Sequence, residues 1–128
     1  MANPSFQQEA RFQLSAIASR LNLHTSLFTY SNQLREGRVG EFQLPTLRAG
    51  QTYVLVGLCD RNCYDLDFSV YDENNNLVAR NTAAHAYPMV RVSPKWTGDF
   101  TVHISMPSCV VNMCSYCVGV FNQQSSSR

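Results

Sequence analysis

The sequence predicts a mainly β protein: a jelly roll or other β-sandwich of about seven or eight antiparallel strands, with one N-terminal α-helix. Three observations lead there. Short runs rich in β-branched and aromatic residues recur, with turn signals about every 8–12 residues. Helical patterning shows only once, before residue 24, so a parallel sheet has no helices from which to build its crossovers. Finally, 128 residues that are 45% hydrophobic and 15% charged suffice for one packed core and are too apolar for a disordered chain.

The helix is expected over residues 1–24. Pro4 suits a first turn and Asn3 or Ser5 can cap it. Phe6, Ala10, Leu14, Ile17 and Leu21 recur at three- and four-residue steps and so share one stripe. Asn22 and His24 suit its end. That stripe packs either on the domain itself or on a partner or second copy.

Strands are expected over 38–121. Phe42 and Leu44 open a short one, stopped by Pro45. Ala49-Gly50-Gln51 turns the chain into Tyr53-Val54-Leu55-Val56-Gly57-Leu58, a continuous apolar run of the kind found in strands buried on both faces. Leu66, Phe68 and Val70 alternate with Asp67, Ser69 and Tyr71. Asp72-Glu73-Asn74-Asn75-Asn76 makes a turn, because Asn and Asp tolerate left-handed backbone and bond nearby amides. Leu77–Ala79 and Val90–Val92 are short strands. Phe100, Val102, Ile104 and Met106 alternate with Thr101, His103 and Ser105 in the clearest strand. Tyr116–Phe121 is the last, and 122–128 reads as a flexible polar tail. The whole is one domain, 1–128, without repeats or linkers.

Ten basic and nine acidic residues leave a net charge of +1, so no large field steers the protein to nucleic acid or anionic lipid. The longest apolar runs, such as Tyr53–Leu58, are too short to cross a bilayer.

Five cysteines form two tight clusters, Cys59 and Cys63, then Cys109, Cys114 and Cys117. Such clusters suggest short disulfide loops made in an oxidising compartment. The preferred pairing is Cys59 with Cys63 and Cys109 with Cys114, each loop worth roughly 2 kcal/mol. Cys117 is then a buried thiol, an intermolecular partner, or the true mate of Cys109. Zinc is the sharp alternative, because four thiolates make a tetrahedral site. A thiol-redox reading rests on Cys114-Ser-Tyr-Cys117, a C-x-x-C that runs into a strand rather than a helix start. Disulfides place the protein outside the cytosol, secreted or periplasmic. The start, Met1-Ala2-Asn3-Pro4 into Phe6-Gln7-Gln8-Glu9, has neither the basic residues nor the apolar stretch of a leader. An exported chain then implies a leader already removed.

Ala49-Gly50-Gln51-Thr52-Tyr53 precedes one strand, and Asp65-Leu66-Asp67 opens another that ends in Tyr71-Asp72. A polar turn leads to Leu77-Val78-Ala79. Pro94-x-x-Thr97-Gly98-Asp99-Phe100 then leads into the strand from Thr101 to Met106. In this order and spacing, over 38–121, the chain resembles the bacterial pre-peptidase C-terminal (PPC) domains, β-sandwich modules attached to secreted peptidases and other exported proteins. The helix, the free-standing length and the cysteine clusters depart from that pattern. The resemblance implies an extracytoplasmic jelly-roll module without an active site of its own. The roles it implies are substrate, matrix or partner binding, and assistance to secretion or folding.

Some members of that family bind calcium at loop carboxylates, which draws attention to Asp60, Asp65 and Asp67; calcium takes several hard oxygens from such a loop. The EF-hand pattern is absent. The plainer reading is that these carboxylates satisfy loop amides or pair with Arg61 and Arg80. His24, His85 and His103 lie in no metal motif, and no G-x-S-x-G, H-E-x-x-H or phosphate loop is present. Trp96, Tyr64 and Tyr71 offer aromatic surface for a protein or polysaccharide ligand, with Tyr87 and Tyr116 behind them. The expected function is that of a non-catalytic exported binding or accessory module contacting its ligand through Asp60–Asp67 and Trp96. Two alternatives stand beside it: a cysteine-based metalloprotein or thiol-redox protein, and an interaction protein that oligomerises through its helix or through Cys117.

Overall fold

The computed structural model describes residues 4–23, 26–81 and 88–123. His24, His85, Tyr87 and the tail from 124 lie outside the described residues. One helix, α1 (Pro4–Arg20), precedes eight strands: β1 (Ser26–Arg35), β2 (Val39–Gln43), β3 (Thr52–Cys59), β4 (Cys63–Tyr71), β5 (Leu77–Asn81), β6 (Met89–Val92), β7 (Thr101–Cys109) and β8 (Met113–Gln123). They form two four-stranded antiparallel sheets, ordered β1-β8-β3-β6 and β2-β7-β4-β5. Each sheet pairs early strands with late ones, which is the strand order of a jelly roll.

The two kinds of strand pattern have one explanation. The β2-β7-β4-β5 sheet has one face in the core and one outside. Its strands therefore alternate: Leu66, Phe68 and Val70 on β4 and Val102, Ile104 and Met106 on β7 are buried, while Ser69, Tyr71, Thr101 and His103 lie on the other face. The β1-β8-β3-β6 sheet is covered on both faces near its centre. Tyr53 and Leu55 of β3 point into the sandwich, whereas Val54, Val56 and Leu58 pack under α1 against Ala10, Leu14 and Ala18. On β8, Cys114, Tyr116, Val118 and Val120 join the inner core, and Cys117 and Phe121 join the layer under the helix. Gly119 lets α1 come close, since a β-carbon there would sit 3.1 Å from Leu14 Cδ1.

The expected stripe is corrected at its end. Leu21 is exposed, and Leu23 is buried in its place. The helix stops at Arg20, and Asn22 takes a left-handed backbone with φ 56°, which turns Leu23 back onto the sheet. The stripe is used within the chain, so it does not serve the helix-mediated contact held as an alternative. Phe12 alone among the helix's large apolar residues lies outward.

β1 begins well before residue 38, where strands were expected. Its ten residues, Ser26-Leu-Phe-Thr-Tyr-Ser-Asn-Gln-Leu-Arg35, hold an edge position with no buried residue. An edge strand with one wet face carries a weak apolar period, and its polar positions hid it. Asn122 and Gln123, assigned to the tail, belong to β8 and pair with Tyr53 and Thr52.

Candidate functional site

Three short connections cross between the sheets at one end: residues 36–38 (β1 to β2), 60–62 (β3 to β4) and 110–112 (β7 to β8). Both disulfides sit here. Cys59 pairs with Cys63 and Cys109 with Cys114, their Cα atoms 5.8 Å and 6.5 Å apart. The two bridges are neighbours, because Cys63 and Cys109 face each other across β4 and β7. The turns also bond one another. Val110 N donates to Asn62 O at 2.7 Å, Glu36 N donates to Asn112 O at 3.2 Å, and Glu36 Oε2 accepts from Cys109 N at 3.1 Å.

Asp60 is the centre of this knot. Its Oδ2 accepts from Ser115 N at 2.8 Å and its Oδ1 from Asn62 N at 3.0 Å, while its own N donates to Ser115 O. A carboxylate facing two amides in a tight turn is a structural clamp. Asp65 and Asp67 follow on β4, where two register shifts interrupt the pairing with β7. Asp65 Oδ1 is enclosed and accepts no hydrogen bond. Among the described residues no three His, Cys, Asp or Glu side chains gather as metal ligands. The three carboxylates named for calcium therefore do not converge, since Asp60 is turned toward backbone amides.

Two surface features share this end. A cleft of about 860 Å³ separates the first turns of α1 from the β3–β4 turn, with Phe6, Glu9 and Gln13 on one side and Asp60, Arg61 and Tyr64 on the other. Beside it projects the tip of the β7–β8 connection. Val110, Val111 and Met113 remain 59%, 43% and 40% exposed inside the ring closed by Cys109 and Cys114. Tyr64 is 62% exposed. Residue-by-residue reading missed this tip. The signal was present: two valines stand where a turn normally takes polar residues.

The residues expected to contact a ligand lie in separate places. Asp60 and Tyr64 border the cleft. Trp96 lies at the opposite end, beside Asp72, and β4 separates the two by about 30 Å at 3.3 Å per residue. Tyr71 lies on the outer face of the β2-β7-β4-β5 sheet, its ring 4.6 Å from that of His103. Glu41 Oε1 in turn lies 3.5 Å from His103 Nε2.

The thiol chemistry is also settled by strand geometry. Residues three apart on a strand point to opposite faces. Cys114 accordingly faces the inner core and Cys117 the layer under α1, so the C-x-x-C cannot close on itself. Cys117 is fully buried. Burial pushes its thiol above the ordinary value, although a Ser31 hydrogen bond and Arg11 act the other way. It is therefore neither an accessible intermolecular partner nor an activated nucleophile. Tyr116 is likewise held protonated, chiefly by burial and then by Tyr30.

Asp72 closes the far end. It is buried, and its carboxylate accepts from Asn74 N and Asn76 N, both at 2.9 Å, and from Asn76 Nδ2 at 3.2 Å. The Asn76 amide, ahead of the opposing effect of burial, holds its carboxyl below the ordinary 3.8. A depressed folded value means stability that is complete above the unfolded value and lost as pH falls below it. Asp72→Asn is expected to be less stable at pH 7 and to lose part of the fall in stability between about pH 4 and pH 2. Urea unfolding at both ends of that range checks it; parallel acid limbs for the two proteins reject this role for Asp72.

No family model matches the sequence, and no curated protein sequence matches it. Solved structures do. PliG of Aeromonas hydrophila, a periplasmic lysozyme inhibitor of g-type lysozyme, aligns with a TM-score of 0.55 at 12% identity, over 75% of this chain and 85% of that one. The pre-peptidase C-terminal domain of the Bacillus anthracis collagenase aligns with a TM-score of 0.52 at 12% identity, over 73% and 87%. AlgX of Pseudomonas aeruginosa aligns at 0.51 and 12% identity over 79% of this chain, which spans 28% of AlgX. The backbone agreement and the motifs from Ala49 to Phe100 thus meet in one result: the chain has a PPC-like β-sandwich fold.

Proposed function

We propose that this protein is an exported, non-catalytic binding module whose ligand is another protein, gripped through the double-disulfide end. One observation carries the reading. Val110, Val111 and Met113 are held out to solvent on a tip that a disulfide and the Val110–Asn62 hydrogen bond keep in one conformation. A monomeric protein gains nothing from exposing them, and a rigid tip loses little entropy when it docks. Tyr64 and the cleft beside α1 extend the contact. Two disulfides support a location outside the cytosol, and PliG, of similar fold, is a periplasmic protein inhibitor.

The test places a photo-crosslinking residue at Asn112 of the oxidised protein and exposes it to exported proteins of its source. A g-type lysozyme is the first defined partner to try, with lysis of its substrate as the readout. A discrete adduct or an inhibited enzyme is expected. Changing Val110, Val111 and Met113 together to Ser should weaken it at least tenfold, while Trp96→Ala leaves it intact. An adduct indifferent to the triple change, or none at all, sinks the reading.

A further inference from the structure

At the end away from the disulfides, the chain between β6 and β7 folds over the opening between the sheets and leaves a pocket of about 410 Å³. Val92, Pro94 and Phe100 are buried beneath it. Val78 and Trp96 wall it and stay 43% and 47% exposed. A small, largely apolar pocket with one aromatic wall and few polar groups is the form that binding sites for single small ligands take.

Charge selects among ligands. Asp72 lines the pocket, but its oxygens are engaged by Asn74 and Asn76. Glu73 does not line it and turns one oxygen to Asp99 N. Lys95 and the Trp96 indole N–H have no ion-pair or hydrogen-bond partner among the described residues. The rim thus offers a cation without an ion-pair partner and a free donor, while the one carboxylate in the lining, Asp72, keeps its charge but has its oxygens turned to Asn74 and Asn76. A cationic ring, which would also stack on the indole, meets Lys95 at the same rim.

We propose that this pocket binds a ligand joining an apolar ring to a carboxylate, as in an aryl acid or the C-terminal aromatic residue of a peptide. The ring packs on Trp96 and Val78, and the carboxylate takes Lys95 and the Trp96 N–H.

Trp96 is the one tryptophan of the chain, so its emission reports on this pocket alone. Titration with 3-phenylpropionate is expected to change that emission saturably. 3-Phenylpropanol should bind about fivefold more weakly, the difference a partly exposed ion pair sustains, and Lys95→Gln should abolish that difference. Val78→Glu, at an exposed position and checked by its melting temperature, should remove the response to the acid. Gly-Gly-Phe with a free C-terminus, compared with its amidated form, separates the two sources. Tighter binding of the free-ended peptide than of 3-phenylpropionate assigns the pocket to peptide ends, and the reverse assigns it to free acids; either supports the proposal. No saturable response, or equal responses to acid and alcohol, overturns it.

Discussion

Reducing both disulfides is expected to lower the unfolding free energy by about 4 kcal/mol, roughly 2 kcal/mol from each short loop. The loops are small, with cysteines four and five positions apart, so the entropic gain per bridge is modest. The sum still matters, because a domain's whole stability is of order 5–15 kcal/mol. The location adds to it. Both bridges brace turns that carry the chain between sheets, and the turns lean on each other through Val110–Asn62 and Asp60–Ser115. Losing one bridge loosens the clamp that the other turn relies on. Removing both should therefore cost less than the sum of the separate losses of Cys59→Ala/Cys63→Ala and Cys109→Ala/Cys114→Ala, because each single removal already forfeits the shared support. Urea midpoints with and without reductant measure the effect. Thiol titration supplies the check on its cause: the unreduced protein should show one thiol when denatured, Cys117, and none when folded. Five thiols in denatured protein, with midpoints that ignore reductant, would falsify the pairing.

The fold was legible where one physical demand dominated a segment. Alternation on β4 and β7 reports a sheet with one dry face, and the unbroken run Tyr53–Leu58 reports a strand covered on both sides. What covers β3 was half visible. The stripe Ala10–Leu14 announced a helix needing a surface, yet no local signal says that the surface is the outside of the β3–β8 pair. β1 half-buries Phe28, Tyr30 and Leu34 against the inner core, but Asn32 interrupts that alternation and the other face is wet, so its period is short and broken. The site was less legible for a related reason. Asp60, Tyr64 and Trp96 stand out in the sequence as chemically capable side chains, but their distances are set by strand direction. β4 carries Tyr64 to one end and Tyr71 to the other, and no spacing rule in the chain shows which loops share an end. Pairing of neighbouring cysteines needed no such knowledge, since a four- or five-residue separation closes locally.

Gly57→Ala is expected to cost about 3 kcal/mol, at the upper end for one added methyl group in a packed core. The reason lies between the sheets. Gly57 sits on β3 opposite Val118, and its N–H donates to Pro88 O at 2.9 Å. A β-carbon here would overlap the ring of Phe68 and lie 3.0 Å from both Leu66 Cδ2 and Pro88 Cγ. Phe68 and Leu66 are fully buried in the opposite sheet, so neither has solvent to move into. Backbone preference runs the other way: alanine in a strand is favoured over glycine by roughly 0.5–1 kcal/mol. The steric term must exceed that gain for the variant to be destabilised at all, which makes the sign itself informative. Phe68→Leu removes the obstructing ring and is costly alone, because it leaves a cavity. Combined with Gly57→Ala it should recover at least 1 kcal/mol relative to the sum of the single changes, as for residues competing for one space. Gly50→Ala is the contrast. Nothing lies within 4 Å of its β-carbon position, and only its φ of +85° opposes the change, so its loss should stay near 1–2 kcal/mol and be blind to Phe68. Chemical denaturation of the parent protein, the three single variants and the two double variants with Phe68→Leu measures these terms. A neutral Gly57→Ala, or strict additivity with Phe68→Leu, would mean that the sheets do not meet at this glycine, and the jelly-roll register that places the disulfide end and the Trp96 pocket at opposite poles would fall with it.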